Sequence, residues 1–198
     1  MLRRFSIAAS TRTGSEIVNA KYITEETAAH GRVLAFPNVS SCVAVVVVLP
    51  DELVGWHVTV KTLDSIDKGM AAQGAAKFLD YARSGTPRRL LIVGHVTHHD
   101  PTALRDWVRA QLAVDLPTQS FDITRHRKAE TNVAYHLFFE HNGHDIPQIT
   151  FKNSTKVGVS NVTNGESGVP NGGLPVHNRS ADFTVSRWHR LRRHFVEV

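Results

Sequence analysis

The chain of 198 residues has one cysteine, Cys42. That excludes an internal disulfide framework and any multi-cysteine zinc site. Long apolar runs are also missing. The longest, Val43 to Pro50, has strand length and falls far short of the ~20 residues that a membrane-spanning helix needs. The opening MLRRFSIAAS lacks the apolar stretch of a secretory signal. Residues 1–15 carry no acid and are rich in Arg, Ser and Thr, which leaves a mitochondrial-type presequence open. No internal repeat is present.

Hydrophobic residues make up 41% and charged residues 21%, the balance of an ordinary globular domain. The net charge of +5 is unevenly placed. Residues 151–198 hold seven basic side chains against three acidic ones, whereas residues 1–150 are nearly neutral. A pI of about 9.7 therefore describes the C-terminal segment, not a basic body built for nucleic acid.

Residues 1–30 are polar and weakly patterned, an arm or an edge element. The patterned body runs from Gly31 to Lys152. It opens on a short strand, Val33 to Phe36, which Pro37 should stop. Val43 to Leu49 is a β-branched run, the signature of a strand buried on both faces. Val54 to Val60 alternates, with Val54, Trp56, Val58 and Val60 on one face and His57 and Thr59 on the other. Ile66, Met70, Gly74, Phe78 and Ala82 recur at helical spacing, with Asp64 or Ser65 as a cap and Gly85 and Pro87 as the stop. Arg88 to Val93 reads as a strand. Asp100-Pro101 opens a second helix with a buried stripe of Leu104, Trp107, Val108, Gln111 and Leu112. Strands at 120–124, 131–140 and 146–152 follow, the last two joined through Asn142-Gly143, a hairpin signal. The expected fold class is α+β, a layered sandwich of mixed β-sheet with two main helices. Residues 153–180 read as a Gly/Asn-rich linker. Residues 181–198 read as a basic amphipathic helix, with Val185, Trp188, Leu191 and Phe195 on one stripe and Arg187, Arg190, Arg192 and Arg193 around it.

Chemistry centres on Cys42, at the mouth of the valine strand after Asn38-Val-Ser-Ser41. His57 lies on the next strand. A hairpin around Leu49 to Leu53 that pairs positions summing to ~102 sets His57 opposite Val45, roughly 10 Å from Cys42 along the ladder. A bulge or a register slip would bring them together. An imidazole beside a thiol can take its proton, and the thiolate can then attack an acyl or amide carbon, with the Cys42 amide as an oxyanion donor. The plainer alternative is a small buried cysteine and a hydrogen-bonded core histidine.

Ser41-Cys42-Val43-Ala44-Val45, followed by Gly55-Trp56-His57, resembles the CheD family of chemoreceptor glutamine deamidases. It is also similar to the catalytic domain of the cytotoxic necrotizing factor toxins. The order of elements after it is CheD-like too, and the resemblance covers about residues 31–152. It implies a layered α+β fold with Cys42 as nucleophile and His57 as base. Where CheD has glycine before Ser-Cys, this chain has Ser40. Where CheD-like enzymes orient the histidine with an upstream threonine, this chain has Phe36-Pro37-Asn38. Asn38 or a backbone carbonyl would then be the third member.

The expected function is protein-glutamine deamidation, with no cofactor or metal. The substrate would be a protein carrying a reactive glutamine, either a small GTPase-like protein, as for an effector toxin delivered into a host cell by specialised secretion, or a chemoreceptor. The arginines at 187, 190, 192 and 193 would hold an acidic partner or an anionic surface. Two alternatives stand beside this: a non-catalytic module that binds through the basic tail, and a papain-like or transglutaminase-like enzyme pairing Cys42 with His95 or His98. Three further groups have bland readings. His95, His98, His99 and Asp100 can ligate a metal in principle, but Asp100 suits a helix cap. His141, His144 and Asp145 fall on a hairpin turn. Arg125 to Lys128 suits a solvated loop.

Overall fold

The computed structural model describes residues 20–60, 62–125, 134–153, 189–190 and 196–198. Eleven strands and two helices occur among them: β1 (Lys21–Tyr22), β2 (Ala28–Gly31), β3 (Val33–Val39), β4 (Val43–Val48), β5 (Leu53–Val58), α1 (Gly69–Arg83), β6 (Arg89–Gly94), α2 (Pro101–Leu112), β7 (Thr118–Asp122), β8 (Tyr135–Glu140), β9 (Gln148–Asn153), β10 (His189–Arg190) and β11 (Val196–Glu197). They form an α+β fold with two mixed sheets, ordered β1-β3-β8-β9-β10 and β11-β7-β6-β4-β5-β2. Among the described residues, only the β1–β3 and β6–β7 pairs are parallel.

The valine run forms β4, interior to the six-stranded sheet and buried at every position. Successive residues point to opposite faces. Ala44, Val46 and Val48 join Phe36, Leu137, Phe139 and Phe151 in a core between the two sheets. Val43, Val45 and Val47 join a second core under the helices, with Trp56, Phe78 and Val108. The indole of Trp56 is wedged between Phe78 and Trp107, at 5.6 and 5.4 Å between ring centroids. Helix α1 turns its small stripe of Ala71, Gly74, Ala75 and Ala82 to the sheet, with Phe78 and Leu79 among them.

Several local expectations hold. Asp100 caps α2 by accepting from the amides of Thr102 and Ala103, with Pro101 at the first helical position. The turn after β8 contains Asn142-Gly143, with Gly143 at φ +79°. Others are corrected. β3 does not stop at Pro37. Its pairing with β8 shifts register between Phe36 and Val39, and an irregular stretch of ladder tolerates the missing proline N–H. Asp64 and Ser65 do not cap α1; they lie in a 3₁₀ turn, and the helix starts at Gly69 after Lys68. Met70, expected in the stripe, is 47% exposed because it precedes the point where the helix meets the sheet. Val60 lies beyond the end of β5 and is 48% exposed.

The body also begins earlier than Gly31. β1 pairs with β3 in one sheet and β2 with β5 in the other, so residues 20–31 are edge strands of both layers. The C-terminal helix is not formed where the chain is described. Residues 189–190 pair with β9, and 196–197 with β7. The open edges of those strands supply main-chain partners that a lone basic helix would lack. Asn153 ends β9. Residues 154–180 of the expected linker, and Val185, Arg187, Trp188, Leu191, Arg192, Arg193 and Phe195 of the expected stripe, lie outside the described residues. Among the described residues, no helix is long and apolar enough to cross a membrane.

Candidate functional site

The ends of β3, β4, β5 and β6 meet at one rim of the inter-sheet core. Cys42 immediately precedes β4 there and is 2% exposed. The β4–β5 register pairs Ala44 with His57, so facing positions sum to 101. This one-residue change from the expected register reverses which face His57 takes. His57 lies on the face of Cys42 and Ala44, in ring contact with Phe36 at 5.9 Å. It is a diagonal neighbour of Cys42, a relation that spans roughly 7–8 Å between backbones. The alternation of β5 was legible, but its second face is not polar, because the second sheet covers it.

A tight turn wraps His57. The Glu26 amide donates to the His57 carbonyl at 2.9 Å, and the His57 amide donates to the Thr27 carbonyl at 3.0 Å. The ring Nδ1 lies 3.0 Å from the Ile23 carbonyl oxygen. A carbonyl only accepts, so Nδ1 carries the proton and Nε2 keeps a lone pair. Nε2 is buried and has no hydrogen-bond partner among the described residues. Burial in the core lowers the His57 pKa to about 4, against a smaller opposing contribution from the Ile23 carbonyl, so the imidazole is neutral at pH 7. The orienting role thus falls to Ile23, through its backbone. Asn38 lies on β3 within the register shift.

The thiol points elsewhere. Cys42 Sγ donates weakly to Glu25 Oε1 at 3.9 Å. Burial first, and the Glu25 carboxylate second, push its pKa up to about 12. Thiol and imidazole are therefore both neutral at rest. Glu25 and Glu26 form the tip of the turn, closed by the Thr27 amide on the Thr24 carbonyl at 3.1 Å. Glu26 sits at φ +59°, uncommon for a residue with a Cβ. Its carboxylate accepts from the hydroxyls of Thr59 and Thr62.

From the opposite side, the His95 amide donates to the Cys42 carbonyl at 3.1 Å. Gly94 makes this approach possible. At its φ of +152°, a Cβ would stand 2.5 Å from the Cys42 carbonyl oxygen and 2.9 Å from the Val43 Cα. The His95 ring packs on Tyr135 at 5.2 Å and on His98 at 5.9 Å. His99 Nε2 lies 2.8 Å from the Ser41 carbonyl oxygen and steadies the peptide before the cysteine.

The remaining groups are placed as structure. Among the described residues, no three His, Cys, Asp or Glu side chains converge to hold a metal. His141 is buried, with Nε2 at 3.1 Å from the Leu49 carbonyl oxygen, while His144 and Asp145 are exposed. Arg125 pairs with Asp122 at 3.6 Å, and residues 126–128 lie outside the described residues. Sequence reasoning missed the turn over 23–27. A carbonyl acceptor leaves no side-chain signature, and the only hint was the Thr-Glu-Glu-Thr run. No family model and no curated protein sequence matches this chain.

Proposed function

We propose that the protein is a cysteine-dependent amidohydrolase of the CheD and necrotizing-factor type, which converts a glutamine side-chain amide of a protein to glutamate and releases ammonia. One observation carries the reading: Cys42 and His57 share a face across adjacent strands, with His57 Nδ1 held by a backbone carbonyl and Nε2 unpartnered. A core histidine with no chemical task would normally satisfy both nitrogens, since a buried polar atom left unpaired costs about 1–3 kcal/mol.

The reaction runs in two halves. The Cys42 thiol gives its proton to His57 Nε2 as Sγ bonds to the amide carbon. The tetrahedral oxyanion is met by the Cys42 amide N–H. The C–N bond breaks, and His57 returns the proton to the departing ammonia, leaving a thioester. Water then gives a proton to His57 and attacks the thioester carbon. The S–C bond breaks and Cys42 is reprotonated. The net change is one amide and one water to one carboxylic acid and one ammonia. No cofactor enters.

The substrate classes that fit this chemistry are a small GTPase-like protein, as for an effector toxin, and a chemoreceptor. Arg190 lies on β10 at a sheet edge; an acidic partner held there, together with Arg187, Arg192 and Arg193, belongs to the same proposal.

The test is ammonia release from a panel of glutamine-bearing proteins of both classes. Cys42→Ser should abolish release with an unchanged circular dichroism spectrum; retained release overturns the reading. Activity that survives His57→Ala and is lost in His95→Ala would move the base to His95.

A further inference from the structure

Glu25 and Glu26 are adjacent acids with opposite surroundings. The Glu26 carboxylate is tied by two threonine hydroxyls. The Glu25 side chain is exposed, and among the described residues it forms no ion pair. Its one side-chain hydrogen bond among the described residues is the weak 3.9 Å contact from Cys42 Sγ. An exposed carboxylate that has no cationic partner among the described residues and lies beside a buried thiol is an incomplete arrangement. The thiol is not an isolated feature here, since the buried, unpartnered Nε2 of His57 lies on the same face of the sheet.

Two consequences follow from charge alone. A negative charge beside Sγ opposes formation of a thiolate, and it holds the S–H away from His57. A positive group that draws the Glu25 carboxylate outward removes both obstacles at once. An anionic group arriving at the same place is repelled and leaves both in force.

We propose that Glu25 is a specificity-determining residue, an entrance carboxylate that selects substrates with a cationic group, a Lys or Arg side chain, next to the amide to be attacked. The identity of that amide rests on the deamidase reading; the charge preference does not. In the selected complex the substrate cation pairs with Glu25, the thiol turns to His57 Nε2, and attack follows. Glutamines flanked by Lys or Arg are favoured over glutamines flanked by Asp or Glu.

The experiment uses the full chain and two thiol reagents of opposite charge, the trimethylammonium-ethyl and the sulfonato-ethyl methanethiosulfonates. Each rate at about pH 8 is followed by intact mass and divided by that reagent's rate with a free small thiol. The wild type should favour the cationic reagent by on the order of tenfold. Glu25→Gln should bring the ratio close to one, and Glu25→Lys should invert it. Equal normalised rates in the wild type, a ratio indifferent to Glu25→Gln, or a thiol that neither reagent reaches would each overturn the proposal. The two readings fail separately. If Cys42→Ser leaves ammonia release intact, the chemistry falls while the reagent ratio still reports on Glu25.

Discussion

His57 Nδ1 lies 3.0 Å from the carbonyl oxygen of Ile23, and this bond sets the proton on one ring nitrogen and the lone pair on the other. Replacing His57 with Ala removes the proposed base and strands a buried carbonyl. Ammonia release should fall about 10²–10⁴-fold. Urea denaturation should show a loss of about 1–3 kcal/mol. An unchanged kcat/KM in a folded variant would remove His57 from the mechanism.

The same histidine makes stability depend on pH. Its folded pKa is about 4, below the 6.5 of an ordinary histidine, so between these values the unfolded chain binds the extra proton. Stability contributed by the neutral imidazole is complete above the unfolded value and is lost as pH falls toward 4. The loss amounts to roughly 3 kcal/mol across that window. Denaturation midpoints at a series of pH values should show this slope, and His57→Gln should flatten it.

The resting thiol should be sluggish. With its pKa raised to about 12 from 9.0, Cys42 keeps its proton through the neutral range. Alkylation by iodoacetamide should rise with pH and show no plateau near pH ~8.5, where a free cysteine titrates. Glu25→Gln should speed it. A fast reaction at neutral pH in the wild type would mean that the thiolate already exists at rest.

Gly74 should resist replacement. In a helix interior Ala is favoured over Gly by about 1 kcal/mol. Here a Cβ would stand 2.0 Å from the Glu26 carbonyl oxygen and 2.8 Å from the carbonyl carbon, both backbone atoms that cannot swing aside. Steric conflict therefore wins. Gly74→Ala should destabilise by about 1–3 kcal/mol. It should also lower activity, because the displaced residue is the one whose amide holds the His57 carbonyl. A raised melting temperature would contradict this packing.

Asp100 should behave as a cap. Asp100→Ala should cost about 1 kcal/mol in thermal or urea denaturation. Added zinc should leave the melting temperature of the wild type unchanged, and a zinc-dependent rise would restore a metal role to the neighbouring histidines.

Long, strongly patterned elements were readable from residues alone. The valine run, the Gly74, Phe78 and Ala82 part of the first helix stripe, Leu104 and Val108 of the second, the Asp100-Pro101 start and the Asn142-Gly143 turn each follow from a local rule and appear where the rule places them. By contrast, Ile66 lies outside the first helix, and Met70 and Gln111 are exposed. What escaped depended on partners distant in sequence. The one-residue register difference between β4 and β5 is small as a number, yet it decides whether His57 faces Cys42. β1 and β2 hold two and four residues, too few for alternation to show. The acceptor on Ile23 belongs to the backbone and carries no residue identity. The C-terminal stripe satisfied helical spacing, but sheet edges beside it offered a competing use for residues 189–190 and 196–197.

The interior position of β4 has a consequence for how such a site can move. Its two long neighbours, β5 and β6, pair with it along its whole length, so the amides of Val43–Val48 should exchange with solvent only when the domain opens globally. Cys42, the proposed nucleophile, thus directly precedes the part of the molecule least able to yield, and the Glu25 carboxylate beside it sits on a turn between the two layers. For the proposed substrate, adjustment would fall to the turn, with the sulfur as the fixed point of reference.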